Sequence, residues 1–454
     1  MKRQVNWRKQ KFVLRPAREK AMYHLHFIDE MPKSQLYRVF CNGEELPAYH
    51  TEFFDYVLPV ARDPMGLHFQ IQINEEFQKI EIRPRSKKQD FLLKADGIEL
   101  TMEKPEKLII EMDEDILRPL YLLCESYVEK PEAVTYYFEK GKIYNIDCLT
   151  LQSGDTVYIE EGSIVCGRFY SRMADGIRIL GNGILYGGVW HNWDENSGEQ
   201  MLCSVLGKNI CIEGISIVDG GSWGIVPIAC QDVQIRNVNI MSNVITGDGL
   251  DIVGCENVVV EDCFIRANDD CISIKGCGNM DPSGSCDTKH VRVRNSVFWN
   301  AEFGNALEIG YETHCSEISD IRFENCDIVH CEYEGNQSGG VLTIHNADRA
   351  HVHDVHYENI RIEDAQEKFV DIKTLDSKYS TDRKRGMISD IYFKNIEITG
   401  GVFPVSIIRG FEMTNELCRP KDFYFDNVVI LGKKVMNKND MHMVVELADD
   451  LHFR

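Results

Sequence analysis

The sequence lacks the long apolar runs that place a chain in a membrane. No stretch approaches the ~18 consecutive apolar residues typical of a transmembrane helix. The basic N-terminus, MKRQVNWRKQKF, has no apolar segment of the ~7–15 residues that a secretory signal requires. We therefore expect no membrane partner and no export, and a cytoplasmic protein whose 16 cysteines are all reduced.

Positive charge is also scarce in this chain. The 50 Lys and Arg residues face 72 Asp and Glu residues, which gives a formal net charge of −22. An acidic surface repels the phosphate backbone, so we expect no nucleic-acid partner. Hydrophobic residues nevertheless make up 43% of the sequence and aromatic residues 10%, enough to bury a core and to exclude wholesale disorder.

A strand pattern recurs from about residue 175 onward. Apolar residues alternate with other residues, and a small residue or Asn stands at the fifth position. The copies are ICIEGISI (210–217), VQIRNVNI (233–240), VVVEDCFI (258–265), VRVRNSVF (291–298), IRFENCDI (321–328), VHYENIRI (355–362), IYFKNIEI (391–398) and FYFDNVVI (423–430). Period-two alternation predicts strands with one buried face. Asn or Gly at the fifth position tolerates a left-handed backbone, so the chain can turn a corner there.

Short strands that recur without intervening helices predict a parallel β-helix, whose coils stack ~4.8 Å apart. The leucine consensus of leucine-rich repeats is missing, and a propeller blade would need four strands and a stricter period. The fold class is therefore all-β, with the β-helix over residues 136–454.

Residues 1–135 lack this repeat. LHFQIQI (67–73), KIEIRP (79–84) and KLIIEM (107–112) alternate strictly, and Asn42-Gly43 is a hairpin-turn sequence. These features predict a small antiparallel β-sandwich that precedes the β-helix and packs on or beside its first coils.

Two similar segments, TGDGLDIVG (246–254) and ANDDCISIKG (267–276), carry aspartates at matching positions. When their buried residues are aligned, Asp248 falls one coil from Asp270. The same register adds Trp223 and Asn305, so the predicted column is Trp223, Asp248, Asp270 and Asn305, with Asp269 one residue off it. Stacked carboxylates ~4.8 Å apart repel, so one binds its proton more tightly. A carboxyl group of that kind can serve as a catalytic acid.

Asp and Asn are also ordinary turn residues between strands, and a lone Trp is often core filler. We interpret Asp251 and Asp262 as such turn or surface residues. Three acids in register beside an aromatic favour an active site for Asp248, Asp269 and Asp270.

The segment GISIVDGGSWGIVPIACQDVQIRNVNI, followed by TGDGLDIVG and ANDDCISIKG, resembles glycoside hydrolase family 28, the polygalacturonases, over roughly residues 150–400. The resemblance implies a right-handed β-helix and an inverting hydrolase without a cofactor. It also implies that Asp269 is the general acid and that Asp248 and Asp270 hold and activate the water.

Two other family motifs are altered. GNALEIG (304–310) falls at the Gly-His-Gly motif, so Asn305 replaces the histidine. VDIKT (370–374) falls at Arg-Ile-Lys, so Asp371 replaces the arginine and Lys373 is kept. The chain is similar, more loosely, to the family 49 dextranases, which act on a neutral glucan and lack that histidine. We expect a neutral or partly acidic glycan, with pectic oligogalacturonides as the alternative.

Other residues are candidates for sugar contact. Lys275, Glu308 and Glu312 face outward by strand parity, either towards sugar or as solvated charges. Lys373 and Trp223 are further candidates. Trp193, in the polar stretch GGVWHNWDEN, is suited to sugar stacking or to core packing.

We expect no metal site. A histidine cluster is interpreted as structural or surface residues: His345, His351, His353 and His356. Two other classes stay open, a polysaccharide lyase and a non-catalytic glycan-binding solenoid. A lyase needs a basic residue at the site, and the predicted column contains none.

Overall fold

The computed structural model describes residues 28–62, 66–188, 200–276, 286–332, 339–402, 405–413 and 416–454. Within these ranges almost all regular structure is β-strand, and the two helical segments, Arg85–Lys87 and Lys438–Met441, are single 3₁₀ turns. Nowhere in the described parts does a helix have the length and apolar character needed to cross a membrane. The predicted all-β class is confirmed.

The N-terminal part contains two five-stranded sheets. One orders Glu44–Leu46, Tyr37–Cys41, Leu67–Ile73, Gly97–Met102 and Phe91–Lys94; the other orders Tyr49–His50, Asp55–Val57, Asp115–Leu123, Lys107–Met112 and Ile80–Arg83. Their facing sides share one apolar core, so they form the predicted sandwich. The second sheet is mixed rather than antiparallel, because Asp55–Val57 runs parallel to Asp115–Leu123. A short pair, Val60–Ala61 with Glu125–Ser126, adjoins it.

The sandwich packs directly on the solenoid. In Asp115–Leu123, Leu120 and Leu122 point into the sandwich core, whereas Tyr121 belongs to the large core of the solenoid. The Tyr121 ring lies 5.1 Å from that of Phe264 and 5.7 Å from that of Trp299. Because both faces of this sheet are buried, the sandwich contributes to the same packed unit as the coils.

Twenty-nine described strands form the three parallel sheets of the β-helix. The first sheet holds Tyr136–Phe138, Thr156–Ile159, Arg178–Gly181, Lys208–Glu213, Gln231–Arg236, Glu256–Glu261, Thr288–Arg294, Glu317–Glu324, His351–Ile362, Ile388–Ile398, Lys421–Ile430 and Leu451–Phe453. The second holds Ile143–Leu151, Ile164–Arg172, Ile184–Tyr186, Ser216–Val218, Asn239–Met241, Phe264–Ala267, Val297–Asn300 and Asp327–Cys331. The third holds Leu202–Val205, Ile225–Ile228, Leu250–Val253, Ile272–Lys275, Leu307–Tyr311, Gly340–Asn346, Lys368–Thr374, Ser406–Arg409 and Met443–Glu446. Two short antiparallel additions are Lys433–Lys434, which pairs back on Lys421–Ile430, and the hairpin Phe411–Met413 with Glu416–Cys418.

The corners between the first two sheets lie at the fifth position of the repeat. All eight residues there have positive φ: Gly214, Asn237, Asp262, Asn295, Asn325, Asn359, Asn395 and Asn427. Asparagine side chains stack along this corner, and Nδ2 of Asn325 donates to Oδ1 of Asn295 at 2.8 Å. The predicted left-handed corner is therefore confirmed, and it fixes which residues of each coil face the interior.

Cysteines follow the apolar interior of the coils. Among the described residues, fourteen cysteines are free thiols, and most of these are buried. Cys286 is disulfide-bonded, so the prediction of sixteen reduced cysteines is wrong at that residue.

Candidate active site

The four residues of the predicted column lie on the third sheet, just before the N-terminal ends of its strands. Ile225, Leu250, Ile272 and Leu307 stand opposite one another on successive coils. The residues two positions earlier follow the same register: Trp223, Asp248, Asp270 and Asn305. Backbone hydrogen bonds join these turns, from Gly224 N–H to Asp248 O (2.8 Å), Gly249 N–H to Asp270 O (2.8 Å) and Cys271 N–H to Asn305 O (3.0 Å).

Asn305 holds Asp270 in place. Its backbone N–H and its Nδ2 both donate to Oδ1 of Asp270, each at 2.8 Å, and its Oδ1 accepts the N–H of Gly340 at 2.9 Å. Asn305 is only 3% exposed. The side-chain amide of Asn305 thus hydrogen-bonds to Asp270 and to Gly340 on the next coil, rather than to a sugar hydroxyl as the sequence suggested.

Asp269 is half-buried beside the column, and its position depends on a tight turn in the next coil. Nδ2 of Asn300 donates to the carbonyl of Asp269 and to that of Phe303, each at 2.7 Å. Gly304 has φ +70°, and a Cβ at that position would lie 2.4 Å from Oδ1 of Asp269. Only glycine leaves room for the carboxylate there.

Lys275 contacts the column from the side. Its Nζ lies 2.8 Å from Asp251, 3.6 Å from Asp248 and 3.6 Å from Glu312, and 4.0 Å above the ring centroid of Trp223. Lys275 is 5% exposed and Asp251 is completely buried. The interpretation of Lys275 as a solvated charge is therefore excluded, and that of Asp251 as a turn or surface residue is wrong, because both form a buried ion pair.

Burial and like charges raise the pKa values of these acids. The pKa of Asp248 is well above its usual range because of burial and the nearby Asp251. The pKa of Asp270 is raised by burial and then by Asp269 and Asp248. Burial raises the pKa of Asp251 to about 7. Burial alone lowers the pKa of Lys275, but the attraction of the surrounding carboxylates outweighs it and leaves the pKa raised.

A second buried cluster lies further along the same sheet. Nδ1 of His345 is 3.0 Å from both carboxylate oxygens of Glu308, and its Nε2 is 3.4 Å from Oδ2 of Asp371. The same oxygen of Asp371 lies 2.8 Å from Nζ of Lys373 and 3.3 Å from Nζ of Lys368. Burial opposes protonation of His345, but Glu308 and Asp371 outweigh it and raise its pKa to about 9.

This cluster corrects two sequence-based expectations. Glu308 is completely buried and is bonded to Thr343 and His345, so it is not an exposed contact for sugar. His345 belongs to this buried network and not to a strand edge shared with His351, His353 and His356, which lie on the first sheet. Glu312 stays half-buried near Lys275. Trp193 lies outside the described residues.

The sequence analysis did not assign these residues to a shared buried network, but their positions on the strands carried a signal. Asp251, Glu308 and Asp371 fall at equivalent positions of successive strands, opposite Ser273 and Thr343. Two residues further along the same strands, His345 stands opposite Lys373. A row of charged residues at outward strand positions is expected for a buried ion-pair network as well as for a solvent-exposed face.

One group of potential metal ligands occurs among the described residues: His314, Asp348 and Asp382, whose ligand atoms lie within 4.8 Å of one another. Nη1 of Arg349 donates to Asp382 at 2.8 Å and contacts the His314 ring. The guanidinium of Arg349 therefore places a positive charge beside these three potential ligands.

The described chain is thus a parallel β-helix that carries stacked aspartates on its third sheet. The chain belongs to glycosyl hydrolases family 28, whose pattern matches residues 150–441. The resemblance drawn from the motifs is thus confirmed, as is the right-handed coil.

The chain is similar in sequence to curated relatives and similar in fold to solved structures. An exopolygalacturonase of Arabidopsis thaliana is 23% identical over 250 residues, 51% of this chain and 54% of that protein. Rhamnogalacturonase A of Aspergillus niger is 27% identical over 142 residues, 31% of this chain and 28% of that protein. The chain thus spans about half the length, or less, of the curated relatives it matches. Among solved structures, Dex49A from Penicillium minioluteum has a TM-score of 0.56 at 11% identity, covering 92% of this chain and 95% of that one. The family 28 exopolygalacturonase of Yersinia enterocolitica has a TM-score of 0.51 at 11% identity, covering 92% of this chain and 94% of that one.

Proposed function

We propose that the chain hydrolyses O-glycosidic bonds of an oligo- or polysaccharide with inversion at the anomeric carbon. Asp269 donates a proton to the leaving oxygen, and Asp248 with Asp270 holds and activates the attacking water. Inverting hydrolases need an acid and a base on opposite sides of the bond. The observation that carries the proposal is the stacking of Asp248 and Asp270 on neighbouring coils, with Asp269 beside them.

The environments of the three aspartates suit these roles. Asp248 and Asp270 are buried and have raised pKa values, so an ionised carboxylate in this pair is a stronger base than an ordinary one. Asn305 donates twice to Oδ1 of Asp270, which orients the group and favours its charged form. Asp269 is less buried than its two neighbours, so its carboxyl group is the one more accessible to a leaving oxygen.

The charges around Lys373 favour a neutral or only partly acidic sugar. Binding a uronate carboxylate needs a fixed cation, best an arginine. Asp371 occupies the position where the family motif has that arginine, and Lys373, Lys368 and His345 all lie within 3.4 Å of it. Two other arginines that could supply a cation are also paired, Arg361 with Asp327 and Arg409 with Glu446.

A second candidate is hydrolysis of oligogalacturonides. It is favoured by the names of the relatives, two of which are exopolygalacturonases, and by Lys373, whose side chain keeps 17% of its surface exposed. A lyase is less favoured, because the raised pKa of Lys275 keeps this residue protonated and unable to accept a proton.

The test is turnover of two panels, oligogalacturonides and neutral α-linked gluco-oligosaccharides, followed by NMR. We expect the first-formed sugar to have the anomeric configuration opposite to that of the bond cleaved, and catalytic efficiency to be higher on the neutral panel. A retained anomer would contradict the mechanism, and a clear preference for uronides would contradict the substrate class. Products absorbing in the ultraviolet would indicate a lyase, and affinity without turnover a binding protein.

A further inference from the structure

The segment 375–387 connects the third sheet to the first and carries an exposed aromatic side chain. It follows the strand Lys368–Thr374 and precedes Ile388–Ile398. Tyr379, within it, is 44% exposed. An exposed Tyr alone needs no explanation. Two features distinguish this one: the way its loop is held and the groups that lie beside its ring.

The loop is fixed to the preceding coil at several points. The buried Asp348 accepts, through Oδ1, the backbone N–H groups of Thr381 and Asp382, both at 2.6 Å. Its carbonyl accepts the N–H of Gly386 at 2.7 Å. Oγ of Ser380 donates to the carbonyl of Ala347 at 2.7 Å. Ordering a side chain for binding costs less when its backbone is already anchored, as it is here.

Tyr379 extends a stack of rings that begins inside the second buried cluster. The ring of Tyr311 is stacked on His345 with a centroid separation of 4.5 Å, and the ring of Tyr379 lies 5.5 Å from that of Tyr311. Tyr311 ends the strand Leu307–Tyr311, one coil beyond the strand that follows Asp270. Glu312, the residue after Tyr311, lies 3.6 Å from Nζ of Lys275, which itself lies 3.6 Å from Asp248, so the rings adjoin the column through this lysine.

Electrostatics agree with that position. Burial raises the pKa of the Tyr379 phenol, Lys378 opposes the rise, and the negative charges of Asp269 and Glu312 add to it. Nζ of Lys378 lies 4.8 Å from the centroid of the ring.

We propose that Tyr379, supported by Tyr311, forms a sugar-binding subsite next to the bond that is cleaved, with a pyranose ring resting on the exposed face of Tyr379. A tyrosine offers a flat apolar face for C–H groups and a hydroxyl for sugar hydroxyls. The anchored loop presents this face without a large ordering cost. The inference rests on the proposed function, because it identifies the residue that selects and orients the substrate for the three aspartates.

Affinity and turnover test the subsite separately. Oligogalacturonides and neutral α-linked gluco-oligosaccharides are titrated calorimetrically into Asp269→Asn protein, with and without Tyr379→Ala. We expect the added substitution to weaken binding of the preferred oligosaccharide by about tenfold, equivalent to ~1.4 kcal/mol. In the active background it should raise KM by a similar factor while kcat changes less, and Tyr379→Phe should keep most of the affinity.

Tyr137→Ala is the matched control, since Tyr137 is also an exposed aromatic (40%) but lies at the first coil of the β-helix. Unchanged affinity in the Tyr379→Ala protein, an equal loss in the Tyr137→Ala protein, or no binding of any oligosaccharide would overturn the subsite. Binding that depends on Tyr379 in a wild-type protein without turnover would retain the subsite and overturn the hydrolase.

Discussion

Nζ of Lys275 lies 2.8 Å from Oδ1 of Asp251, and this ion pair is buried beside the column. The two residues come from neighbouring coils, in which Asp251 stands opposite Ser273 and Lys275 opposite Val253. Buried charges are stable only when they are paired. The pair therefore places a permanent positive charge 3.6 Å from Asp248, which limits how far burial can push that aspartate towards its neutral form.

Removing that charge should affect both stability and turnover. Lys275→Met keeps the length of the side chain but leaves Asp251 and Asp248 without their cation. We expect a loss of about 3–5 kcal/mol in the free energy of unfolding, as for other broken buried pairs. Turnover should fall as well, because both carboxylates then bind protons more tightly. Urea unfolding and initial rates measure the two effects.

The control is Lys289→Met, which removes a half-exposed pair with Glu317 on the first sheet. A surface pair of this kind contributes ~0–1 kcal/mol. Equal destabilisation by the two substitutions would contradict a special role for the buried pair.

Substitution of the three aspartates should separate catalysis from folding. Asp248→Asn, Asp269→Asn and Asp270→Asn should each reduce kcat by about 10²–10⁴-fold, the usual contribution of an acid or base step. Double substitutions should lose little more, because the three groups act on one bond. The matched control is Asp262→Asn at a repeat corner, where most other coils already carry Asn. Near wild-type kcat in any of the three proteins would remove that residue from the site.

Local sequence patterns made the fold predictable. Alternation marked the strands, as in Leu67–Ile73 and Lys107–Met112, whose bounds match the predicted ones. The fifth-position residues marked the corners, because few residues other than Gly, Asn and Asp adopt a left-handed backbone readily. Where these local rules act alone, sequence is sufficient.

The register of the column was predictable from the sequence, but the burial of the side chains around it was not. The register of Asp248 and Asp270 follows from the buried residues of their strands. Whether Lys275 or Glu308 meets solvent depends instead on what covers the outer face of the third sheet, and parity carries no such information. His345 illustrates the point, since its partners Glu308 and Asp371 come from the strands on either side of its own.

The buried His345 should give the protein a measurable pH dependence of stability. Its pKa rises from 6.5 to about 9 on folding, through Glu308 and Asp371 and against the effect of burial. The folded state thus binds the proton more tightly than the unfolded state does. The resulting stabilisation is complete below pH ~6.5 and is lost as the pH rises through about 9.

His345→Gln removes this contribution. We expect the difference in unfolding free energy between wild type and variant to shrink by roughly 3 kcal/mol between pH 6.5 and 9. Urea unfolding across that range measures it, with His353→Gln on the first sheet as the control. A difference that does not change with pH would show that His345 is not charged in the folded protein.

The turn at Gly304 should control activity through Asp269 and the backbone nitrogen of Asp270, which a Cβ at Gly304 would meet at 2.7 Å. Gly304 has φ +70°, and a methyl group there would meet Oδ1 of Asp269 at 2.4 Å and its carbonyl carbon at 2.6 Å. Gly141 has nearly the same φ, +72°, but a methyl group there would have no other atom within 4 Å. Alanine at either residue therefore carries a similar backbone strain of ~1 kcal/mol, but only Gly304→Ala displaces the catalytic turn.

The two glycines thus form a matched pair for testing how closely the reaction depends on the position of Asp269. We expect Gly141→Ala to lower the melting temperature slightly and to keep kcat. Gly304→Ala should lose stability beyond that and reduce kcat by at least tenfold, since small misplacements of a catalytic group cost that much or more. Equal kcat values in the two alanine variants, measured at a temperature where both are folded, would mean that the position of Asp269 does not limit the reaction.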